Sequence, residues 1–149
     1  MDAEAFFTEA VDPALLQRWN SPLYVKETEA NPNTAKNKAA ASIGQRNVKI
    51  LFDAGVKIAF GTDSGALPTR IPGFAEHREL QLLVQSGLSP MDALVCATKT
   101  NAKVLGATDR GMLETGKLAD FIVLNGDPLA DIRNTTRIDA VYHNGNRIR

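Results

Sequence analysis

The sequence predicts an α/β fold, on the basis of three features. The run Val56–Phe60 is largely apolar, as a buried parallel strand is. A segment with helical spacing ends directly before this run, giving half of a parallel β/α repeat, and another follows it beyond a loop. Towards the C-terminus, Phe121–Leu124 and Ile138–Tyr142 are short apolar runs, and Asn144-Gly145 is a strong signal for a hairpin between two strands.

Two helical regions are predicted before Gly55, separated by a polar stretch around Asn31-Pro32-Asn33. Residues 1–20 have the spacing of one or two short helices, with a break at Pro13. A long helix is predicted over Thr34–Ala54, with Asn33 as its cap and Gly55 as its stop. The apolar residues that we expect on one face of this helix are Ala39, Ile43, Ile50, Leu51 and Ala54.

Two more helices are predicted after the strand. The first runs over Ala75–Ser86 and ends at Gly87. The second begins at once, because Ser89 can cap it, Pro90 suits its first position and Asp92 completes a capping box. Its expected inner face comprises Met91, Leu94, Thr98, Ala102 and Leu105.

Composition narrows the function classes. Acidic and basic side chains balance at 17 each, so no global field favours nucleic acid or an anionic membrane as a partner. No apolar run is long enough to span a bilayer, and the acidic start lacks the features of a signal peptide. The single cysteine, Cys96, excludes an internal disulfide and suits a reducing compartment. We therefore expect a cytoplasmic protein, with a small-molecule substrate or another protein as its partner.

Asp63 is the leading candidate for a functional residue. It follows the strand Val56–Phe60 directly, and in α/β enzymes the chemistry collects where such strands end. Gly61 and Gly65 on either side allow a sharp turn and a close approach of a substrate or metal. An aspartate that merely stabilises a turn would have the same neighbours. Both interpretations of Asp63 stay open on position alone.

The run Asp63-Ser64-Gly65-Ala66 also matches the active-site loop of retroviral-type aspartic proteases. Those enzymes pair two carboxylates across a dimer, one from each subunit. They are built of strands, however, whereas about half of this chain has helical spacing. The aspartic protease is therefore only a remote alternative.

Three motifs, in order, resemble the C-terminal part of metal-dependent amidohydrolases. Gly55–Ser64 is similar to the eighth strand of that family's distorted (β/α)₈ barrel, whose terminal Asp is its most characteristic residue. Leu88–Leu94, with the Ala97-Thr98 pair, resembles the family's Leu-Thr-Pro-x-Glu-Ala-Leu and Ala-Thr helix. Gly111–Leu124, followed by Asp127-Pro128-Leu129, is similar to the segment that leads into the family's small β-sandwich. Within the family, the motifs resemble those of imidazolonepropionases and Xaa-Pro dipeptidases.

The resemblance implies an incomplete two-domain organisation. Residues 1–106 correspond to the last part of the TIM-like barrel, and residues 107–149 to part of the β-sandwich. It also implies hydrolysis of a C–N bond in an amide, cyclic amide, amidine or dipeptide. One or two divalent metals, usually zinc, activate the water in such enzymes.

By the match, Asp63 holds the metal or its hydroxide and acts as the general base. Three further residues are candidate substrate contacts, each with an ordinary structural alternative. Ser64 could bond a substrate or satisfy the turn. Arg70 could meet a substrate carboxylate or lie in solvent. His77, on the predicted helix, could border the pocket or belong to a solvated first turn.

The family's other metal ligands, a His-x-His pair, a lysine and two later histidines, have no counterparts in this sequence. One carboxylate is a poor zinc site, so we expect no tightly bound metal in this chain alone. One parallel strand also cannot form a sheet by itself, so we expect missing barrel strands or self-association to complete it. The competing function is a catalytically inactive module of the same ancestry, which binds or self-assembles.

Overall fold

The computed structural model describes residues 7–9, 11–66 and 70–149. Helices dominate the part before Leu105, and a three-stranded antiparallel sheet lies near the C-terminus. The first six residues of the predicted N-terminal helices lie outside the described residues. The helices are α1 Pro13–Trp19, α2 Pro22–Ala30, α3 Pro32–Asp53, α4 Phe74–Gln85, α5 Pro90–Val95 and α6 Asn101–Val104, with a π-helical turn Cys96–Thr100 between the last two.

Side-chain caps start several of the helices, each with proline at the first helical position. Ser89 accepts a hydrogen bond from the Asp92 amide at 3.1 Å, so the predicted cap of α5 is confirmed. The cap of α3 is Asn31 rather than the predicted Asn33. Helix α2, capped by Ser21, was not predicted, because its polar residues show no apolar periodicity.

The predicted inner face of α3 is wrong. Ile43 and Ile50 are 50% and 64% exposed, whereas Val48 and Phe52 pack against the buried core. Val48 and Phe52 are four residues apart and so share one face of the helix. No described element covers the face that carries Ile43 and Ile50. Gly55 ends the helix as predicted, with φ of +80° and a bond from the Val56 amide to the Leu51 carbonyl.

The core lies between α4 and α5. Leu80 and Leu83 of α4 are buried. In the next helices the predicted face is wrong at both ends, since Met91 and Leu105 are exposed. The π-helical turn adds a residue to one turn and so changes the direction of every later side chain. The residues that form the buried cluster are Leu80, Leu83, Leu88, Ala93, Cys96 and Ile132.

The predicted strand Val56–Phe60 does not form a ladder in this structure. A strand requires the backbone groups of a neighbouring strand, and none of the described strands lies beside it. One side chain takes the place of such a neighbour. The Asn101 side chain accepts a hydrogen bond from the Phe60 amide at 2.8 Å and donates one to the Phe60 carbonyl at 2.9 Å.

The three strands near the C-terminus agree with the prediction. They are β1 Phe121–Leu124, β2 Ile138–His143 and β3 Asn146–Arg147, in the order β1-β2-β3. Both Asn144 and Gly145 have positive φ, as a two-residue hairpin of type I′ requires. Across the described residues, none of the helices combines the length and the apolar character needed to cross a membrane.

Candidate active-site turn

Asp63 lies on a turn just after Val56–Phe60, with its backbone in the left-handed region at φ of +49°. This region is disfavoured for most residues with a side chain, although aspartate tolerates it better than most. The Asp63 side chain is 82% exposed. Its carboxylate accepts a hydrogen bond from Arg70 Nη1 at 3.1 Å. The turn therefore presents an accessible carboxylate with one cationic partner.

A second carboxylate, Glu76, lies behind the turn. Thr62 Oγ1 donates to Glu76 Oε1 at 2.8 Å, and the Gly73 amide donates to Glu76 Oε2 at 2.7 Å. The Ser64 side chain is also hydrogen-bonded to Glu76. Burial alone would raise the pKa of Glu76, but the bonds from Ser64 and Thr62 and from the backbone lower it below its ordinary value. Glu76 is therefore held as a hydrogen-bonded anion.

His77 contacts Thr135, which lies in the C-terminal part of the chain. Its Nδ1 atom is 3.0 Å from the Thr135 hydroxyl, which donates its single proton to the Ile132 carbonyl at 2.8 Å. His77 Nδ1 must therefore be the donor to Thr135. Desolvation lowers the pKa of His77, and the nearby charge of Glu76 opposes this only in part. The neutral imidazole is thus favoured.

The structure brings together some of the candidate residues and separates another. Ser64 and Arg70 share the turn with Asp63. His77 instead packs on the 3₁₀ helix Ile132–Thr136. Within the described ranges, no group of three or more His, Cys, Asp or Glu side chains could hold a metal ion. The donors at the turn therefore do not fit a metal by themselves.

A cavity of about 410 Å³ lies elsewhere, at the C-terminal end of α6. Four cations line it, including Lys99 and Lys103. Both lysines belong to the last turn of a helical segment, where cations are favourable in any protein. Lys117 donates a hydrogen bond to the Thr108 carbonyl at 3.0 Å, and so it stabilises a turn. Asp63 is not among the residues of this cavity.

Comparison with known proteins identifies the family. The model of the Amidohydrolase family matches residues 16–148, which is most of the chain. This chain belongs to the amidohydrolase family. The match confirms the resemblance that the three motifs carry, and it confirms the α/β assignment. The aspartic protease alternative is excluded by the same match.

The amidohydrolase chain is similar to several characterised members. It is 39% identical over 102 residues to the 5-methylthioadenosine/S-adenosylhomocysteine deaminase of Bacillus thuringiensis (strain Al Hakam), covering 64% of this chain and 22% of that protein. A solved Xaa-Pro dipeptidase with bound methionine has a TM-score of 0.67 and 32% identity, covering 83% of this chain and 31% of that one. An amidohydrolase from Thermotoga maritima MSB8 has a TM-score of 0.58 and 27% identity, covering 70% and 26%. This chain therefore spans about a quarter of the length of its relatives.

Glu76 was not predicted as a site residue from the sequence. The structure makes it the centre of the hydrogen bonds around Asp63. One sequence signal was available, because Glu76 is the third residue of α4, where a glutamate reaches back to the amide of the capping residue. Its bond to Thr62 depends on the path of the intervening loop, which the sequence pattern does not fix.

Proposed function

We propose that this chain supplies the catalytic carboxylate of a metal-dependent hydrolase that acts on a C–N bond of a small molecule. One observation carries the proposal. Asp63, at the position that matches the family's characteristic aspartate, stands on a left-handed turn with its carboxylate exposed. The names of the relatives, a deaminase and a dipeptidase, both describe reactions at C–N bonds.

A divalent metal, zinc in our proposal, would supply an activated water and polarise the substrate. The described residues do not form its site, so its remaining ligands belong to other parts of the intact protein. Asp63 acts as the general base. It accepts a proton from the attacking water and donates it to the leaving nitrogen.

The residues around Asp63 have secondary roles in this proposal. Arg70, now paired with Asp63, can turn to a substrate carboxylate, because a guanidinium binds such a group with two parallel bonds. Ser64 and His77 remain proposed substrate contacts at the border of the site.

We also propose that residues 1–106 belong to the barrel and that residues 107–149 belong to the β-sandwich. We propose further that the protein is cytoplasmic.

A hybrid enzyme tests the role of Asp63. In it, this chain replaces the matching C-terminal part of the Xaa-Pro dipeptidase, and hydrolysis of an Xaa-Pro dipeptide is measured. We expect activity, and we expect Asp63→Asn to lower kcat by about 10²- to 10⁴-fold, the range for a general acid–base catalyst. Asp109→Asn is the matched control, because Asp109 is also an exposed carboxylate paired with an arginine. Equal losses in both variants, or no loss in Asp63→Asn, would overturn the proposal.

Metal binding by the isolated chain is a separate test. After dialysis against zinc, we expect less than one tightly bound equivalent per chain, because a lone carboxylate is a poor site. One tight equivalent that disappears in Asp63→Ala would show that the chain forms a metal centre alone. A cooperatively folded monomer that gives an inactive hybrid enzyme would favour the competing binding module.

A further inference from the structure

Glu76 links the turn that carries Asp63 to the start of helix α4. Its two carboxylate oxygens accept bonds from different segments, Oε1 from the Thr62 hydroxyl at 2.8 Å and Oε2 from the Gly73 amide at 2.7 Å. The Thr62 hydroxyl oxygen in turn accepts a hydrogen bond from the Ser64 amide at 3.1 Å. Of the two neighbours of Asp63, Thr62 is therefore bonded to Glu76 directly, and Ser64 is linked to it through Thr62.

This arrangement holds Asp63 without touching it. The left-handed backbone of Asp63 is disfavoured, so it persists only where the surroundings impose it. The Asp63 side chain has a single described partner, Arg70, and both side chains are exposed. An exposed ion pair of this kind fixes geometry weakly. The Asp63 carbonyl also accepts a hydrogen bond from the Ala66 amide at 3.1 Å, and the remaining restraint on Asp63 comes through Thr62 and Ser64.

We propose that Glu76 is a positioning residue that sets the direction of the Asp63 carboxylate through Thr62 and Ser64. The inference rests on the proposed function, since it assigns Glu76 a part in that same reaction. Glu76 does not take part in proton transfer, because both of its oxygens are engaged by donors of the protein. The two carboxylates thus divide the work, with Asp63 reacting and Glu76 orienting.

The competing explanation is that Glu76 only caps helix α4 through the Gly73 amide. Substitution at Thr62 separates the two roles. Thr62→Val removes the hydroxyl while keeping the shape of the side chain, and it leaves the bond between Glu76 and Gly73 in place. Thr62→Ser keeps the hydroxyl and serves as the rescue. Thr136→Val is a matched control that removes a similar hydroxyl bond, to the Arg133 carbonyl, away from the turn.

The first measurement is amide hydrogen exchange in the full chain. We expect Thr62→Val and Glu76→Ala to speed exchange of the Ser64 amide at least about tenfold, and Thr62→Ser and Thr136→Val to leave it near the parent value. The second measurement is the kinetics of the hybrid enzyme. We expect Thr62→Val to lower kcat by about tenfold to a hundredfold with KM within threefold, as a small misplacement of a catalytic group does.

Two results would overturn the inference. One is an unchanged kcat in Thr62→Val beside an active parent hybrid enzyme. The other is unchanged exchange at Ser64 in Glu76→Ala, with only a lower unfolding temperature, which would leave Glu76 as a helix cap, because faster exchange in Thr62→Val alone reflects the loss of the acceptor of that amide. If the parent hybrid enzyme is inactive, the proposed function fails, whereas Ser64 exchange still decides whether Glu76 holds the turn.

Discussion

The two carboxylates at the turn differ in the number of bonds that each accepts. Asp63 is exposed and has one arginine partner, so its remaining lone pairs face solvent. Glu76 accepts bonds from two side chains and from the Gly73 amide, and its pKa is lowered although burial opposes ionisation. A carboxylate that exchanges protons must be accessible to water and substrate. A carboxylate that holds a turn in place must instead accept several hydrogen bonds from the protein. These surroundings support the reactive role that we propose for Asp63.

His77 should make stability depend on pH. Burial lowers its pKa below the ordinary value of 6.5, so below pH 6.5 the unfolded chain takes up a proton that the folded chain declines. The stability that neutral His77 contributes is therefore fully present above pH 6.5, and it is lost as the pH decreases towards the pKa of His77 in the folded chain. The free energy of unfolding, measured by urea denaturation at several pH values in this range, should change less with pH in His77→Gln than in the parent. His143→Gln, at the exposed histidine of the hairpin, is the control. An equal reduction of the pH dependence in both variants would contradict the assignment.

At the scale of elements, Val56–Phe60 shows how a strand depends on its neighbours. The segment has the composition of a buried strand, yet it forms no ladder here. Asn101 pairs the amide and carbonyl of Phe60, which a neighbouring strand would otherwise do. Because these groups are partly buried, leaving them without a partner carries a desolvation cost. Asn101 thus fixes the direction in which the chain enters the turn of Asp63.

Asn101→Leu tests this contact. Leucine has a similar volume but pairs neither backbone group of Phe60, so we expect a loss of about 2 kcal/mol in the free energy of unfolding. Asn101→Asp should also destabilise the chain, because its carboxylate can accept from the Phe60 amide but has no proton to donate to the Phe60 carbonyl. Urea denaturation measures the losses, and amide exchange at Phe60 locates them. Equal stability of the parent and Asn101→Leu would show that the pairing contributes nothing.

Two glycines in different elements should respond oppositely to alanine. Gly111 has φ of +91°, and a methyl group there would lie 2.5 Å from the Ala102 Cβ. Gly111→Ala should therefore destabilise the chain by at least about 2 kcal/mol. Gly44 lies inside helix α3 with open space around it, so Gly44→Ala should stabilise by about 0.5–1 kcal/mol. Thermal unfolding of both variants is the test, and destabilisation by Gly44→Ala would contradict it.

Several features that depend only on neighbouring residues, such as the cap of α5 and the hairpin turn, were predicted correctly from the sequence. Ser89 and Gly55 act within one turn of helix, and both were assigned correctly as cap and stop. The Asn144-Gly145 turn needs only its own backbone. The inner faces of α3 and of the helices after Ser89 were wrong, because the first depends on which elements lie beside it and the second on the π-helical turn. The bond between Thr62 and Glu76 was not predicted either, because it depends on the path of the loop that joins these residues.

At the scale of the whole molecule, the chain leaves much apolar surface exposed beside a small core. Ile43 and Ile50 of α3 and Val56 of the unpaired segment are all about half exposed or more. Large apolar side chains exposed in this way mark an interface or an aggregation risk. The chain also spans about a quarter of the length of its relatives. We therefore expect the isolated chain to associate with itself through the exposed face of α3.

Replacing Ile43 and Ile50 together by glutamine tests this expectation. Both side chains contribute little to the folded core, so the free energy of unfolding should change by less than about 1 kcal/mol. Self-association, measured by sedimentation over a range of concentrations, should weaken because the apolar face is lost. Leu105→Gln with Leu113→Gln is the matched control, since these residues are 81% and 73% exposed but lie after α6, away from α3. A parent chain that stays monomeric, or equal weakening by the control pair, would show that the α3 face is not the contact surface.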